Sequence, residues 1–172
     1  MHTTDRPAVR ITEAGYRHEL GWFHRLVATR PDLVPLLARL TLGLVMFPHG
    51  AQKALGMFGG PGFGGTMTMF TSMMHIPAAF AVLAIAAEFL GSLGLITGLL
   101  GRVAAFGILC NMLVATLMVH AGNGFFMNWM GNQKGEGFEY HLLAIGLALI
   151  VMVAGSGRAS LDRMIQDRIE LR

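Results

Sequence analysis

Residues 78–121, AAFAVLAIAAEFLGSLGLITGLLGRVAAFGILCNMLVATLMVHA, decide the fold. Only Glu88 and Arg102 carry a formal charge in this run. A hydrocarbon core of about 30 Å takes roughly 20 residues of helix to cross, so the run holds two crossings, 78–99 and 102–121, joined by a tight turn. In lipid every backbone N–H and C=O must be paired within its own segment, which a helix achieves unaided. Working outward, two further apolar stretches, 33–57 and 139–156, are long enough to cross as well. The expectation is an all-α integral membrane protein: a four-helix bundle over residues 33–157, with an amphipathic arm at 1–32 and an amphipathic tail at 158–172.

Composition agrees. Of 172 residues, 53% are hydrophobic and only 13% charged, far from the balance of a soluble domain. The single cysteine, Cys110, lies inside an apolar run, which excludes an internal disulfide, a CxxC dithiol and a cysteine-based zinc site. A net charge of +3 would suggest nucleic acid in a soluble chain; here the arginines flank the spans instead, and no nucleic-acid partner is expected. Arg6, Arg10, Arg17, Arg25 and Arg30 precede the first span, Arg102 sits in the second turn, and Arg158, Arg163, Arg168 and Arg172 follow the last. The loops 58–77 and 122–138 hold only Lys134. The excess of positive residues places both termini in the cytoplasm, in a multi-pass protein of a bacterial inner membrane. Residues 1–32 carry no signal-peptide pattern, so the first span is expected to direct insertion.

In the arm, Tyr16, Trp22, Phe23, Leu26 and Val27 mix with arginines; in the tail, Leu161, Met164, Ile165 and Ile169 recur at helical spacing. Both suit segments lying on lipid headgroups. The loop GGPGFGGTMTMFTSMMHIP, residues 59–77, is too apolar to be freely solvated and is expected to lie on the outer membrane surface or fold over the bundle mouth.

Polar groups inside the spans carry the functional signal, because a charge at mid-bilayer costs about 2.5 to 3.5 kcal/mol on insertion scales. Arg39, Lys53 and Glu88 therefore need partners or water. From a rise of about 1.5 Å per residue, Arg39 and Glu88 differ by roughly 6 Å in depth, within an arginine's reach. His49 and Lys53 fall about 24 and 30 Å into the first span, near the outer rim, where His120 ends the third span and Glu139 opens the fourth. At 100° per residue, Arg39, Gly43, Met46, His49, Gly50 and Lys53 share one face of the first span, and Glu88, Gly91, Ser92 and Leu95 one face of the second. Pro48 removes a helix hydrogen bond just before His49 and is expected to bend the helix beside the polar cluster. Asn111 and His120 lie about 180° apart on a regular helix, so both face inward only if its end departs from regularity; Asn111 is ranked lower. His141, about 200° from Glu139, is expected to pack elsewhere.

An outer-leaflet pocket lined by His49, Lys53, Glu88, His120 and Glu139 could exchange protons through imidazole and hold a carbonyl or anion through the ammonium. Plain readings stand beside this one. Arg39 with Glu88 could be an ion pair that only fixes helix register, Lys53 could extend to headgroups, and His120 and Glu139 could merely cap helices. Met67, Met69, Met73, Met74 and His75 are soft donors that would suit Cu(I), although methionine is also ordinary apolar filler.

The segments ARLTLGLVMFPHGAQKALGMFGG, AEFLGSLGLITGLLGRVAA, VATLMVH and GSGRASLD, in that order over about residues 37–162, resemble the DoxX family. The resemblance implies a four-helix bacterial membrane protein whose relatives are described as subunits of quinone-linked oxidoreductases, including the DoxD-type subunit of a thiosulfate:quinone oxidoreductase, or as partners in thiol-redox complexes. The family's polar positions correspond to Arg39, His49, Gly50, Lys53, Glu88, His120 and Glu139. The methionine-rich loop and the long arginine-rich arm depart from the pattern. With no haem motif, dinucleotide fingerprint or dithiol in the chain, the expected cofactor is a quinone and the expected partner a soluble or membrane redox protein, besides lipid and a further copy of the chain. His49, Lys53, Glu88 and Arg39 are the expected catalytic groups, His49, Lys53, His120 and Glu139 the quinone contacts, and no metal is expected. The alternatives are a copper-handling or transport module built on the methionine loop and a non-catalytic assembly subunit.

Overall fold

The structure, a computed structural model, describes residues 21–171. Arg6, Arg10, Arg17, Tyr16 and Arg172 lie outside the described residues, so the expected arm is met only from residue 21 onward and the tail only up to 171.

Most of the described residues are helical, and no strand occurs among them. After α1, described over 21–27, come α2 (Leu33–Leu55), α3 (Gly62–Thr68), α4 (Ala78–Thr97), α5 (Gly101–Ala115), α6 (Glu139–Ala154) and α7 (Leu161–Glu170). Local chemistry sets the ends. The Asp32 carboxylate accepts from the Val34 N–H to start α2, and the Ser160 hydroxyl accepts from the Arg163 N–H to start α7. Gly56 (φ 73°) and Gly98 (φ 68°) stop α2 and α4 in the left-handed conformation that only glycine adopts without strain. Helix α5 does not stop at Ala115: a π turn, Thr116–His120, and a 3-10 turn, Ala121–Asn123, carry it on.

Helices α2 and α4, and α5 with its extension to Asn123, are long and apolar enough to cross a membrane. The fourth expected crossing is shorter than the apolar run at 139–156 suggested. Helix α6 has 16 residues, about 24 Å, because Gly155 (φ 84°) ends it early and its first turn is tied to the preceding loop, Glu139 N–H donating to Phe125 O at 2.9 Å.

The four long helices pack in a ring, α2 against α4 and α6, and α5 against α4 and α6. The centre is filled by Leu42 and Met46 of α2, Leu95 of α4, Ile108 and Met112 of α5, and Ala144, Ala148 and Val151 of α6. In lipid there is little hydrophobic force between helices, and close backbone approach takes its place. Gly43 and Gly50 provide it on α2. A Cβ on Gly50 would stand 2.6 Å from the backbone of Phe89, and one on Gly43 3.0 Å from Leu95 and Ile96.

One end of the ring, the end rich in arginine, is closed by a knot of chain segments. The Arg39 side chain, 1% exposed, donates to five carbonyl oxygens: Leu95, Ile96, Ser156 and Ala159 at 2.7 Å and Arg158 at 3.3 Å. Asp162, equally buried, accepts from the N–H groups of Leu100 and Gly101 and from the Ser156 hydroxyl at 2.6 Å. Arg102 donates to the last carbonyls of α6, Met152 and Val153, and to Ala28. Thr29 joins the N-terminal segment to the C-terminal one, its N–H donating to Gln166 Oε1 and its hydroxyl accepting from Gly157. Both described ends of the chain therefore meet at the same end of the bundle, beside the α4–α5 turn.

Candidate functional site

The far half of the bundle holds the polar groups that belong to no cap or turn. Gly50 lets α2 touch α4, and one turn later Lys53 Nζ lies 2.5 Å from Glu88 Oε2. Glu88 is 6% exposed, and its second oxygen accepts from Asn111 Nδ2 of α5 at 3.3 Å; that amide also donates to Ala84 O at 2.9 Å. Two charges taken out of water are stabilised here by each other and by a third hydrogen bond, as a buried ion pair requires. Helix α3 covers the top: the hydroxyl of Thr66, fully buried, donates to Lys53 O at 3.1 Å.

A second group lies across α2, toward α6. The His49 ring stands 6.2 Å from that of Tyr140, whose hydroxyl donates to Met46 Sδ at 3.2 Å. His141 and His120 are in contact, their ring centroids 4.1 Å apart and their planes tilted by 40°. His120 Nδ1 lies 2.8 Å from Glu136 O; a carbonyl only accepts, so that nitrogen carries the proton. His141 Nδ1 is buried without a hydrogen-bond partner, and none of the described groups hydrogen-bonds His49. For His141 Nδ1, a buried polar atom left unpaired costs about 1–3 kcal/mol, for which a bound ligand or water is the usual remedy, whereas His49 is exposed.

Several sequence expectations are corrected by this geometry. Arg39 does not meet Glu88. Its guanidinium is consumed by carbonyls at the arginine-rich end, while Glu88 takes Lys53, because the α2–α4 contact at Gly50 brings position 53 rather than 39 to the carboxylate. Asn111, ranked below His120, is a direct partner of Glu88. Asn111 reaches Glu88 and His120 reaches His141 from the same helix because the π turn at Thr116–His120 adds a residue to one turn and rotates His120 by roughly 100° from its regular position. Glu139 is not grouped with Lys53: it accepts from the Met127 N–H at 3.1 Å and from Trp129 Nε1 at 3.2 Å, tying the 122–138 loop to α6. His141, expected to pack elsewhere, is the member of α6 that meets His120. The 200° between positions 139 and 141 holds; it is 139 that points to the rim. Tyr140 was not singled out from sequence, and nothing in its neighbourhood signals a contact with Met46 across the bundle.

Nor do the expected five residues line one cavity. An open apolar groove of about 1170 Å³ lies between α4 and α5 on the outside of the ring, and the polar side chain at its middle is Asn111. The methionine segment forms α3 and the π turn Met69–Met73 over the far end of α2 and α4, with Met73 exposed and Met67, Met69 and Met74 half-buried. Among the described residues, no group of three or more His, Cys, Asp or Glu side chains could hold a metal ion.

Apolar helices in a ring, closed at one end by an arginine-centred knot and carrying an ion pair and a histidine pair in the other half, define a multi-pass membrane protein. A family model, DoxX, matches residues 34–121, just over half of the chain, and the chain belongs to that membrane family, often associated with oxidoreductase systems. The matched residues include Arg39, His49, Lys53, Glu88, Asn111 and His120; Glu139, Tyr140 and His141 lie beyond them. No curated protein and no solved structure matches the chain.

Proposed function

We propose that the chain is the membrane subunit of a quinone-linked redox system, binding a quinone or comparable small acceptor beside Lys53–Glu88 and exchanging electrons with a separate, redox-active partner protein. In this reading the arginine-rich end, with both termini, faces the cytoplasm of a bacterial inner membrane, and the site lies in the outer half of the bilayer. The observation that carries it is the pairing of Lys53, Glu88 and Asn111 beside a His49 ring free of hydrogen bonds. An ammonium and an imidazole N–H are donors matched to a quinone carbonyl, and the carboxylate and imidazole can take or give the protons that accompany its reduction. Tyr140, His141 and His120 continue the line of protonatable groups from His49 toward the 122–138 loop.

The test is direct. The protein in lipid nanodiscs should bind decylubiquinone saturably, and His49→Ala or Lys53→Ala should each weaken binding about tenfold, the worth of one good hydrogen bond. Undiminished binding in both variants discards the site. Cu(I) uptake that survives His49→Ala and disappears when Met67, Met69, Met73 and Met74 become Leu would move the function to the methionine segment.

A further inference from the structure

The groove between α4 and α5 is lined at its middle by Asn111, which donates to the same carboxylate that Lys53 holds. The small residues Ala84, Ala87, Gly91 and Gly107 line the groove beside Asn111, whose amide reaches Glu88. The orientation of the Asn111 amide follows from its partners. Ala84 O is an acceptor and so is the carboxylate of Glu88, so the NH2 group must face both, which leaves Oδ1 as the polar atom offered to the groove. That atom accepts hydrogen bonds and cannot donate one.

We infer that this groove is a membrane-facing station for the reduced, hydroxyl-bearing form of the ligand, a hydroquinone that lies along α4 and α5 and donates its hydroxyl to Asn111 Oδ1. The inference rests on the quinone-linked reading above and adds to it a second face of Glu88. Lys53 and His49 present donors suited to a carbonyl, whereas Asn111 presents an acceptor suited to a hydroxyl.

Depth and shape favour this occupant. Asn111 meets α4 at Ala84 and Glu88, about 9 and 15 Å below the far end of that helix, where a phospholipid has only acyl chain to offer. A hydroquinone carries its polar ring on an apolar tail, and a hydroxyl bonded to Asn111 Oδ1 offsets the cost of burying that hydroxyl at this depth. The groove runs from Pro77 to Leu100, the length of the helix, with bulky exposed rims at Phe80, Leu83, Leu90 and Phe106 and room for such a tail. A second copy of the chain fits less well, because the small residues that would admit it are already used within the chain. A Cβ on Gly107 would stand 3.2 Å from Ala87, and one on Gly91 3.4 Å from Ala104 O.

The experiment measures decylubiquinol, kept reduced under argon, against decylubiquinone on the nanodisc-embedded protein. Wild type should bind the quinol about tenfold more tightly at the groove. Asn111→Leu should abolish that preference. Cys110→Trp, which places an indole in the groove and keeps the Asn111 side chain, should block the quinol alone, and a thermal melt near the wild-type value certifies each variant as folded. Equal affinity for both redox forms overturns the inference, as does quinol binding that Cys110→Trp leaves unchanged. So does a wild-type dimer that Cys110→Trp dissociates, or a phospholipid retained in the groove that quinol fails to displace. Loss of the groove effects with decylubiquinone binding still dependent on His49 and Lys53 sinks this inference alone; absence of binding by either form sinks the quinone-linked reading with it.

Discussion

At the scale of single residues, buried Arg39 and half-buried Lys53 have different work because they have different partners. Arg39 faces only carbonyl oxygens, in a fan that its planar fork of five donors can fill and an ammonium cannot. Arg39→Lys should therefore lower stability by about 2–3 kcal/mol, read as a drop in the melting temperature of the detergent-solubilised protein. Lys53 faces a carboxylate, so its loss strands a charge rather than a set of carbonyls. Lys53→Met should cost about 3 kcal/mol, and the double variant Lys53→Met with Glu88→Gln should recover most of it; a double-mutant cycle that adds without coupling would show that the pair contributes no mutual stabilisation.

At the scale of elements, positions of close approach decide which side chains meet. A methyl group on Gly50 would stand 2.6 Å from the backbone of Phe89, so Gly50→Ala must push α2 away from α4 and draw Lys53 off Glu88. Quinone binding should fall with Gly50→Ala even though the residue offers no polar group, and a Gly50→Ala protein with wild-type affinity would separate the ion pair from the site. The π turn at Thr116–His120 acts in rotation rather than translation. Deleting Leu117 should restore a regular helix, turn His120 away from His141 by about 100° and disconnect the histidine pair, while Asn111, upstream of the deletion, keeps its bond to Glu88. The pattern of apolar residues announced these helices, since each is apolar over most of its surface. It could not announce the phase change, because a π turn leaves no mark in hydropathy.

At the scale of the whole molecule, the bundle is closed at one end and carries the proposed site in the other half. The segment 155–162 fills the closed end, supplying carbonyls to Arg39 and the carboxylate of Asp162 to the α4–α5 turn. Asp162→Ala should leave the Leu100 and Gly101 N–H groups and the Ser156 hydroxyl unpaired in a buried setting, and the melting temperature should fall further than for any substitution on the exposed face of α7. Decylubiquinone binding measured below that melting temperature should be unaffected, since the knot meets α4 at Leu95 and Ile96, about 10 Å along the helix from Glu88.

The sequence alone determined an all-helical membrane chain, the DoxX membership, the limits of α2, α4 and α5 to within a few residues, and the short list from which the site is drawn. Those follow from the cost of unpaired backbone and charge in hydrocarbon, a cost that acts residue by residue and can be read along the chain. Tertiary structure alone decided that Lys53 rather than Arg39 meets Glu88, that Asn111 and His141 join the cluster while Glu139 stays with the loop, and that α6 falls short of a full crossing. Each of those turns on how closely one helix approaches another and at what rotation, and neither distance nor phase between separate helices is encoded in the periodicity of any one of them.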